Sequence, residues 1–354
     1  MGVTDASDSR LGVLTRWVRE DLGFADGRIE PASADASFRR YFRVSRGADS
    51  CIVMDAPPDK ETLEPFVGVA RALRGMGLNV PVVLACDARQ GLLLLTDLGT
   101  RQYLDQLAGG RDVDRLYADA LAALVRMQTR GKDAANGLPP YDRSLLHREM
   151  ELMPEWFLGR HLEAPPDPGE RAMLDRLFDF LSRSALSQPP TFVHRDYHSR
   201  NLLVTEEDNP GILDFQDAVR GSVTYDAVSL LKDCYISWPV ARVHGWLLAY
   251  RGALIDAGFA LDAGEDEFIR WFDLMGLQRH IKVLGIFARL FYRDGKPGYL
   301  KDLPRVLAYT REAAALYPET AEFAAYLAAR VDGRFSAAQA RAMGGAHGQR
   351  AADG

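Results

Sequence analysis

Apolar positions follow one periodicity over the first hundred residues and another afterwards. In LGVLTRWVREDL, Leu11, Leu14, Trp17, Val18 and Leu22 recur at helical spacing and predict a helix over 11–22. SFRRYFRV and SCIVMDAP alternate or run apolar on either side of Arg46-Gly47-Ala48-Asp49, the pattern of a β-hairpin, and Pro57-Pro58 stops its second strand. Leu63, Phe66, Val67, Ala70 and Leu73 return to helical spacing until Gly75-Met76-Gly77. VPVVLACD and GLLLLTDLG then predict two strands around a turn at 88–91. Residues 30–99 thus read as strand, strand, helix, strand, strand.

Beyond Gly99 helical spacing dominates, over 111–130, 142–160, 170–187, 224–235, 239–257, 266–293, 302–316 and 319–331. A strand–loop–strand segment, 191–215, interrupts it. The chain is therefore expected to be α+β and bilobal, with a small β-rich N-lobe over 1–99 and a larger helical C-lobe over 100–335. The Ala/Gly-rich segment 336–354 reads as a flexible tail.

With 354 residues and 47% hydrophobic content, the chain can fill the cores of two lobes. A net charge of −6 does not favour a nucleic-acid partner. Cys51, Cys86 and Cys234 lack CxxC spacing and read as small buried residues of a reducing compartment. MGVTDASDSRLG has no apolar core of a secretion signal, and no run approaches a membrane span in length. The expectation is a soluble, cytoplasmic protein, monomeric by default.

The candidate chemistry lies in FVHRDYHSRNLLV, where Asp196 and Asn201 stand five residues apart between apolar runs. A polar turn, TEEDNPG, and ILDFQD follow and bring Asp214. A strand–turn–strand of this kind is expected to hold Asp196, Asn201 and Asp214 near one another. Phosphoryl transfer uses this set of groups. One carboxylate positions the attacking hydroxyl and accepts its proton, while an amide oxygen and a second carboxylate hold Mg²⁺ against a triphosphate.

The series HRDYHSRNLLV, GILDFQDA and YDAVSLL resembles the aminoglycoside phosphotransferase family, which shares the protein-kinase-like fold. The resemblance implies ATP and Mg²⁺, with Asp196 as catalytic base, Asn201 and Asp214 as metal ligands, and Asp226 bracing the catalytic loop. It also implies adenine contacts from the backbone of Thr96, Asp97 and Leu98. The phosphate-covering loop falls in SADASFRRYFRV, which lacks a G-x-G-x-x-G pattern but offers Ser37. The lysine that kinase-like folds carry on the third strand is replaced by Met54. Arg39, Tyr41 and Arg43 share a face of the preceding strand if it alternates. An arginine there, Arg43 above all, is a candidate for the missing charge, with Lys60 more distant.

Three segments of the helical lobe are candidates for the acceptor site. They carry Glu149 and Trp156; Asp233, Tyr235 and Trp238; and a basic helix over 278–300 with Arg279, His280, Lys282, Arg289, Arg293 and Lys296. Aromatic rings beside carboxylates suit sugar recognition, and His198 of the loop also faces substrate or phosphates in one reading. The basic groups either meet a substrate carboxylate or form a solvated edge, with Ile281, Leu284, Gly285, Ala288 and Phe291 in the core. DASFRRYFRV, VMDAPP, LKDCYISWP and IKVLGIFARLFYRDGKPGYL are similar to the anomeric amino-sugar kinases of bacterial cell-wall recycling, a branch of the same family. That likeness implies phosphorylation of the C1 hydroxyl of N-acetylmuramate and N-acetylglucosamine, and with it tolerance to fosfomycin. Two alternatives stand beside it. One is another small-molecule hydroxyl kinase, although polycationic aminoglycosides fit a basic helix poorly. The other is a non-catalytic nucleotide-binding relative, suggested by Met54.

Overall fold

The computed structural model describes residues 9–34 and 38–352. The chain divides into two compact units, Met1–Gln102 with Leu202–Asp217, and Tyr103–Asn201 with Ala218–Gly354.

The first unit opens with helix α1 (Ser9–Arg16), continued by a π-helical turn, Trp17–Asp21. Strands β1 (Arg28–Ala34), β2 (Arg40–Arg46) and β3 (Asp49–Asp55) follow, then helix α2 (Glu64–Gly75) and strands β4 (Val83–Asp87) and β5 (Leu92–Thr96). They form a five-stranded antiparallel sheet in the order β1-β2-β3-β5-β4. Phe42, Val44, Val53, Leu92 and Leu94 line one face and bury Leu14, Trp17 and Val18 of the N-terminal helix. Side chains alternate across a strand, so Met54 falls on the other face, opposite Tyr41 in the register. It is buried there.

Strand β1 is absent from the sequence expectation. It holds Glu30 and Pro31, which weaken a strand pattern, and it pairs on one side only, where proline is tolerated. The ladder shifts register between Pro31 and Ser33.

Residues 202–217 group with this unit and not with the helical lobe to which the sequence assigned them. Short strands β7 (Leu202–Leu203) and β8 (Gly211–Ile212) pair with each other, β6 (Pro190–Val193) being the strand that precedes them in the second unit. Val204 N donates to Arg101 O at 2.7 Å and Ile212 N to Asn79 O at 2.8 Å. Phe215 packs on Phe66 of α2, ring centroids 4.9 Å apart.

In the second unit come helices α3 (Tyr103–Ala108), α4 (Val113–Arg130), α5 (Lys132–Asn136), α6 (Arg143–Met150) and α7 (Pro168–Leu186). A π-helical stretch, Met153–His161, separates the last two. Asp142 caps α6 through Leu145 N at 2.8 Å, and Asp167 with Glu170 forms a capping box on α7. Strands β6 (Pro190–Val193) and β9 (Val219–Ser222) pair antiparallel. Helices α8 (Tyr225–Leu231), α9 (Val240–Asp256), α10 (Glu265–Tyr292), α11 (Leu303–Ala314), α12 (Ala321–Tyr326) and α13 (Asp332–Ala352) complete it.

Helix α10 is the axis of this unit. It packs on α7, α8, α11 and the Met153–His161 stretch and is buried along most of its length. Gly285 lets it approach that stretch: an added Cβ would meet Leu152 C at 2.2 Å.

The segment 336–352, expected as a flexible tail, is helical. Alanine favours helix, and Phe335, Ala338 and Ala342 recur at helical spacing and are buried. The cysteines also depart from expectation. Cys234 alone is buried, Cys51 is partly exposed and Cys86 is exposed.

Candidate active site

In the helical unit, His194–Asn201 leaves β6 and turns back on itself. His194 N and Arg195 N both donate to the Asp226 carboxylate, at 2.7 and 3.0 Å. Asp226 is fully buried in the first turn of α8. Burial pushes its pKa up to about 7, against the pull of the two amide donors. Those bonds hold Arg195 at φ +76, a left-handed conformation uncommon outside glycine.

Next in the loop, the Asp196 carbonyl accepts from His198 N at 3.0 Å and from Asn201 Nδ2 at 3.0 Å. Asn201 N donates to His198 O at 2.9 Å. Asp196 and Asn201 are thus held in one closed turn, and the Asn201 nitrogen is turned to the protein. Burial alone would raise the Asp196 pKa, but the charges of Lys282, His198, Arg279 and Arg195 bring it below its ordinary value. Asp196 is accordingly ionised at neutral pH.

Glu149 is buried where the sequence placed it in an acceptor site. Its Oε1 lies 2.8 Å from Lys282 Nζ and 2.5 Å from Arg195 Nη2, and Tyr141 OH donates to its other oxygen. Lys282 Nζ also donates to Tyr225 OH at 3.0 Å. Burial raises the pKa of Glu149, but Lys282 and Arg195 outweigh it and lower the value. Arg279, equally buried, donates to Ser229 Oγ at 2.6 Å. For these two residues the solvated-edge reading of the basic helix does not hold. Arg279 and Lys282 are buried, as are Ile281, Leu284 and Ala288, and they meet Ser229, Glu149 and Tyr225. Only its C-terminal end is a charged edge, where Arg293 pairs with Asp294.

Asp233 is likewise internal. It accepts from Ser199 N at 2.9 Å and Tyr235 N at 3.0 Å, and so fixes the middle of the loop. The His198 ring meets Tyr235 edge-on, centroids 5.4 Å apart, and burial lowers its pKa. Trp156 is half-buried in the Met153–His161 stretch. Arg195 had no assigned role in the sequence, because its partner Glu149 is remote along the chain and no local pattern links them.

In the first unit, Asp214 adopts φ +61 and accepts from Gln216 Nε2 at 2.7 Å. Arg43 forks onto Asp97 at 2.6 and 3.0 Å and reaches Gly99 O at 3.2 Å. That pair places the Arg43 charge at the end of β5. Thr96 N donates to Val82 O at 3.0 Å, and Thr96 Oγ1 accepts from Val82 N at 2.9 Å. The Thr96 amide is therefore used within the sheet. Arg39 is buried 3.4 Å from Glu61. Lys60 pairs with its neighbour Asp59 at 3.4 Å on the surface. Ser37 lies outside the described residues.

The model of the phosphotransferase enzyme family matches residues 28–265. The chain belongs to that family. It is 47% identical over 338 residues to the N-acetylmuramate/N-acetylglucosamine kinase of Pseudomonas aeruginosa, covering 93% of this chain and 99% of the relative. Among solved structures, an ethanolamine kinase of Plasmodium vivax superposes with a TM-score of 0.62 at 11% identity, over 85% of this chain and 88% of that one. The ADP-bound aminoglycoside phosphotransferase APH(2'')-Ib superposes with a TM-score of 0.56 at 12% identity, over 85% and 98%. These two likenesses show the protein-kinase-like fold. Among the described residues, no helix is long and apolar enough to cross a membrane.

Proposed function

We propose that this member of the phosphotransferase enzyme family is an ATP-dependent kinase of N-acetylmuramate and N-acetylglucosamine, acting on the C1 hydroxyl. The observation that carries the reading is the 47% identity to a kinase of that name over nearly the whole of both chains. An ADP-bound structure among the fold neighbours supports the nucleotide.

In this reading Asp196 orients the acceptor hydroxyl and takes its proton as the oxygen attacks the γ-phosphorus. A new O–P bond forms, the bond from the γ-phosphorus to the β,γ-bridging oxygen breaks, and ADP leaves. The lowered pKa of Asp196 keeps it ready to accept a proton at neutral pH. The backbone groups of Thr96, Asp97 and Leu98 are assigned to the adenine edge, and Ser37 to the phosphates. Sugar contacts are assigned to His198 and Trp156.

Mg²⁺ belongs to the proposal through its donor set. Among the described residues, no group of three or more His, Cys, Asp or Glu side chains forms a metal site by itself. Mg²⁺ is usually held through one or two protein oxygens together with substrate phosphates. The amide oxygen of Asn201 and the carboxylate of Asp214 are hard donors of that kind. A bound Mg²⁺ would neutralise charge on the triphosphate.

Mg²⁺-dependent ADP release on a panel of amino sugars, aminoglycosides and amino alcohols tests the reading. Turnover confined to the two N-acetylated sugars supports it. Turnover confined to an aminoglycoside or an amino alcohol removes it.

A further inference from the structure

Arg200 plays no part in the account so far, although it lies inside the catalytic loop. Its neighbours in that loop are fixed by Asp233 through Ser199. The Arg200 guanidinium lies over the Tyr235 ring, 3.7 Å from the centroid, and 5.9 Å from that of Tyr299. Tyr235, Phe287 and Tyr299 form a continuous aromatic wall, with successive centroids 6.1 and 5.2 Å apart. The face of Arg200 is therefore occupied, while its in-plane N–H edge is the part that recognises carboxylates bidentately.

That edge makes no hydrogen bond among the described residues. Its nearest carboxylate oxygen, Asp302 Oδ2, lies at 4.0 Å, beyond hydrogen-bond distance. Asp302 has a second cation, Arg305, at 3.3 Å from its other oxygen. Two guanidiniums thus face the Asp302 carboxylate. Among nearby cations, Arg195 and Lys282 pair with Glu149, and Arg305 reaches Asp302 and Cys234 O, while Arg279 is buried and donates to the Ser229 hydroxyl. Arg200 also remains partly open, with 31% of its side chain accessible.

We infer that Arg200, stacked on Tyr235, receives the carboxylate of the acceptor and so distinguishes N-acetylmuramate from N-acetylglucosamine. This rests on the amino-sugar kinase reading above. The two sugars differ by the lactyl ether that carries the carboxylate, and Arg200 stands four residues after the proposed base on the same closed turn. Asp302 and Tyr235 act by positioning the guanidinium. The carboxylate role, one of two readings of the basic helix, is placed on this loop because Arg279 and Lys282 are buried whereas Arg200 is partly exposed.

The test compares kcat/KM for N-acetylmuramate, its methyl ester and N-acetylglucosamine in the wild type, Arg200→Met and Arg200→Lys. In the wild type the free acid should exceed the ester by about tenfold or more, as expected for one charge-assisted pair. Arg200→Met should abolish the acid-over-ester preference, chiefly through KM for the acid. Arg200→Lys should keep part of it. A wild-type enzyme that does not distinguish acid from ester overturns the inference. So does an Arg200→Met enzyme that keeps the wild-type ratio. If Arg200→Met does not fold, an unchanged ratio in Arg200→Lys overturns it as well. Wild-type protein that phosphorylates neither sugar removes the kinase reading itself, and is told apart by the absence of any N-acetylglucosamine turnover.

Discussion

Lys282 Nζ lies 2.8 Å from Glu149 Oε1, both groups buried, and the same carboxylate holds Arg195 of the catalytic loop. Helix α10 is thereby tied to the backbone segment that carries Asp196. Removing one partner of a buried pair leaves an uncompensated charge, which typically costs about 3–5 kcal/mol. Lys282→Met should fall at the low end, near about 3 kcal/mol, because Arg195 still faces Glu149. Urea denaturation followed by far-UV circular dichroism measures this. A change within error of zero would show that the pair contributes no net stability.

Asp196→Asn keeps the size of the side chain and removes the base. Phosphoryl transfer should fall by about 10²–10⁴-fold, the usual contribution of a general base. Nucleotide affinity measured by calorimetry should stay near its wild-type value, since Asp196 is assigned to the acceptor and not to ATP. Asp214→Ala should do the reverse and weaken Mg²⁺-dependent ATP binding.

Asp226 gives stability a pH dependence with a defined sign. Its folded pKa is raised to about 7, against about 3.9 for an unperturbed aspartate. Between those values the folded chain binds more protons than the unfolded one, so this group's contribution to stability falls as pH rises through the window. Above about pH 7 it is flat. The slope is at most about 1.4 kcal/mol per pH unit. Asp226→Asn should lose that slope. It should also be less stable, because His194 N and Arg195 N donate to different oxygens of Asp226 and the nitrogen of an asparagine cannot accept. Denaturation midpoints of both proteins from pH 4.5 to 8 measure the difference, and parallel curves would contradict it.

Gly285→Ala should destabilise the helical unit, because the added carbon would meet the Leu152 backbone at 2.2 Å. Backbone cannot yield as a flexible side chain does, so a loss of about 1–3 kcal/mol or more is expected. Thermal unfolding checks it. Gly252, also in a helix, has nothing within 4 Å of an added Cβ. Gly252→Ala should therefore be neutral or slightly stabilising.

The parts legible in the sequence were those whose determinants lie close together along the chain. Leu63 to Leu73 at helical spacing and the hairpin across Gly47 needed no distant information, and the structure has both. Asp196 and Asn201 could be paired because five residues separate them, and the turn holds both. Strand β1 was missed because its Pro31 is tolerated only by virtue of an edge position, which is a property of the sheet. The burial of the basic helix is hidden from the sequence for a related reason. Arg279 and Lys282 look like a charged face until Glu149, Ser229 and Tyr225 are brought to them by tertiary packing. Arg43 is a candidate cation in the sequence, and its partner Asp97 comes from the end of β5. Charges announce themselves in a sequence, but their partners do not.

The central claim is tested most directly by phosphorus NMR of the product formed from ATP, Mg²⁺ and N-acetylglucosamine. A new phosphomonoester signal coupled to the anomeric proton is the predicted result and establishes transfer to the C1 hydroxyl. A phosphate coupled instead to the C6 protons, or no phosphorylated sugar from either N-acetylglucosamine or N-acetylmuramate, would contradict the account.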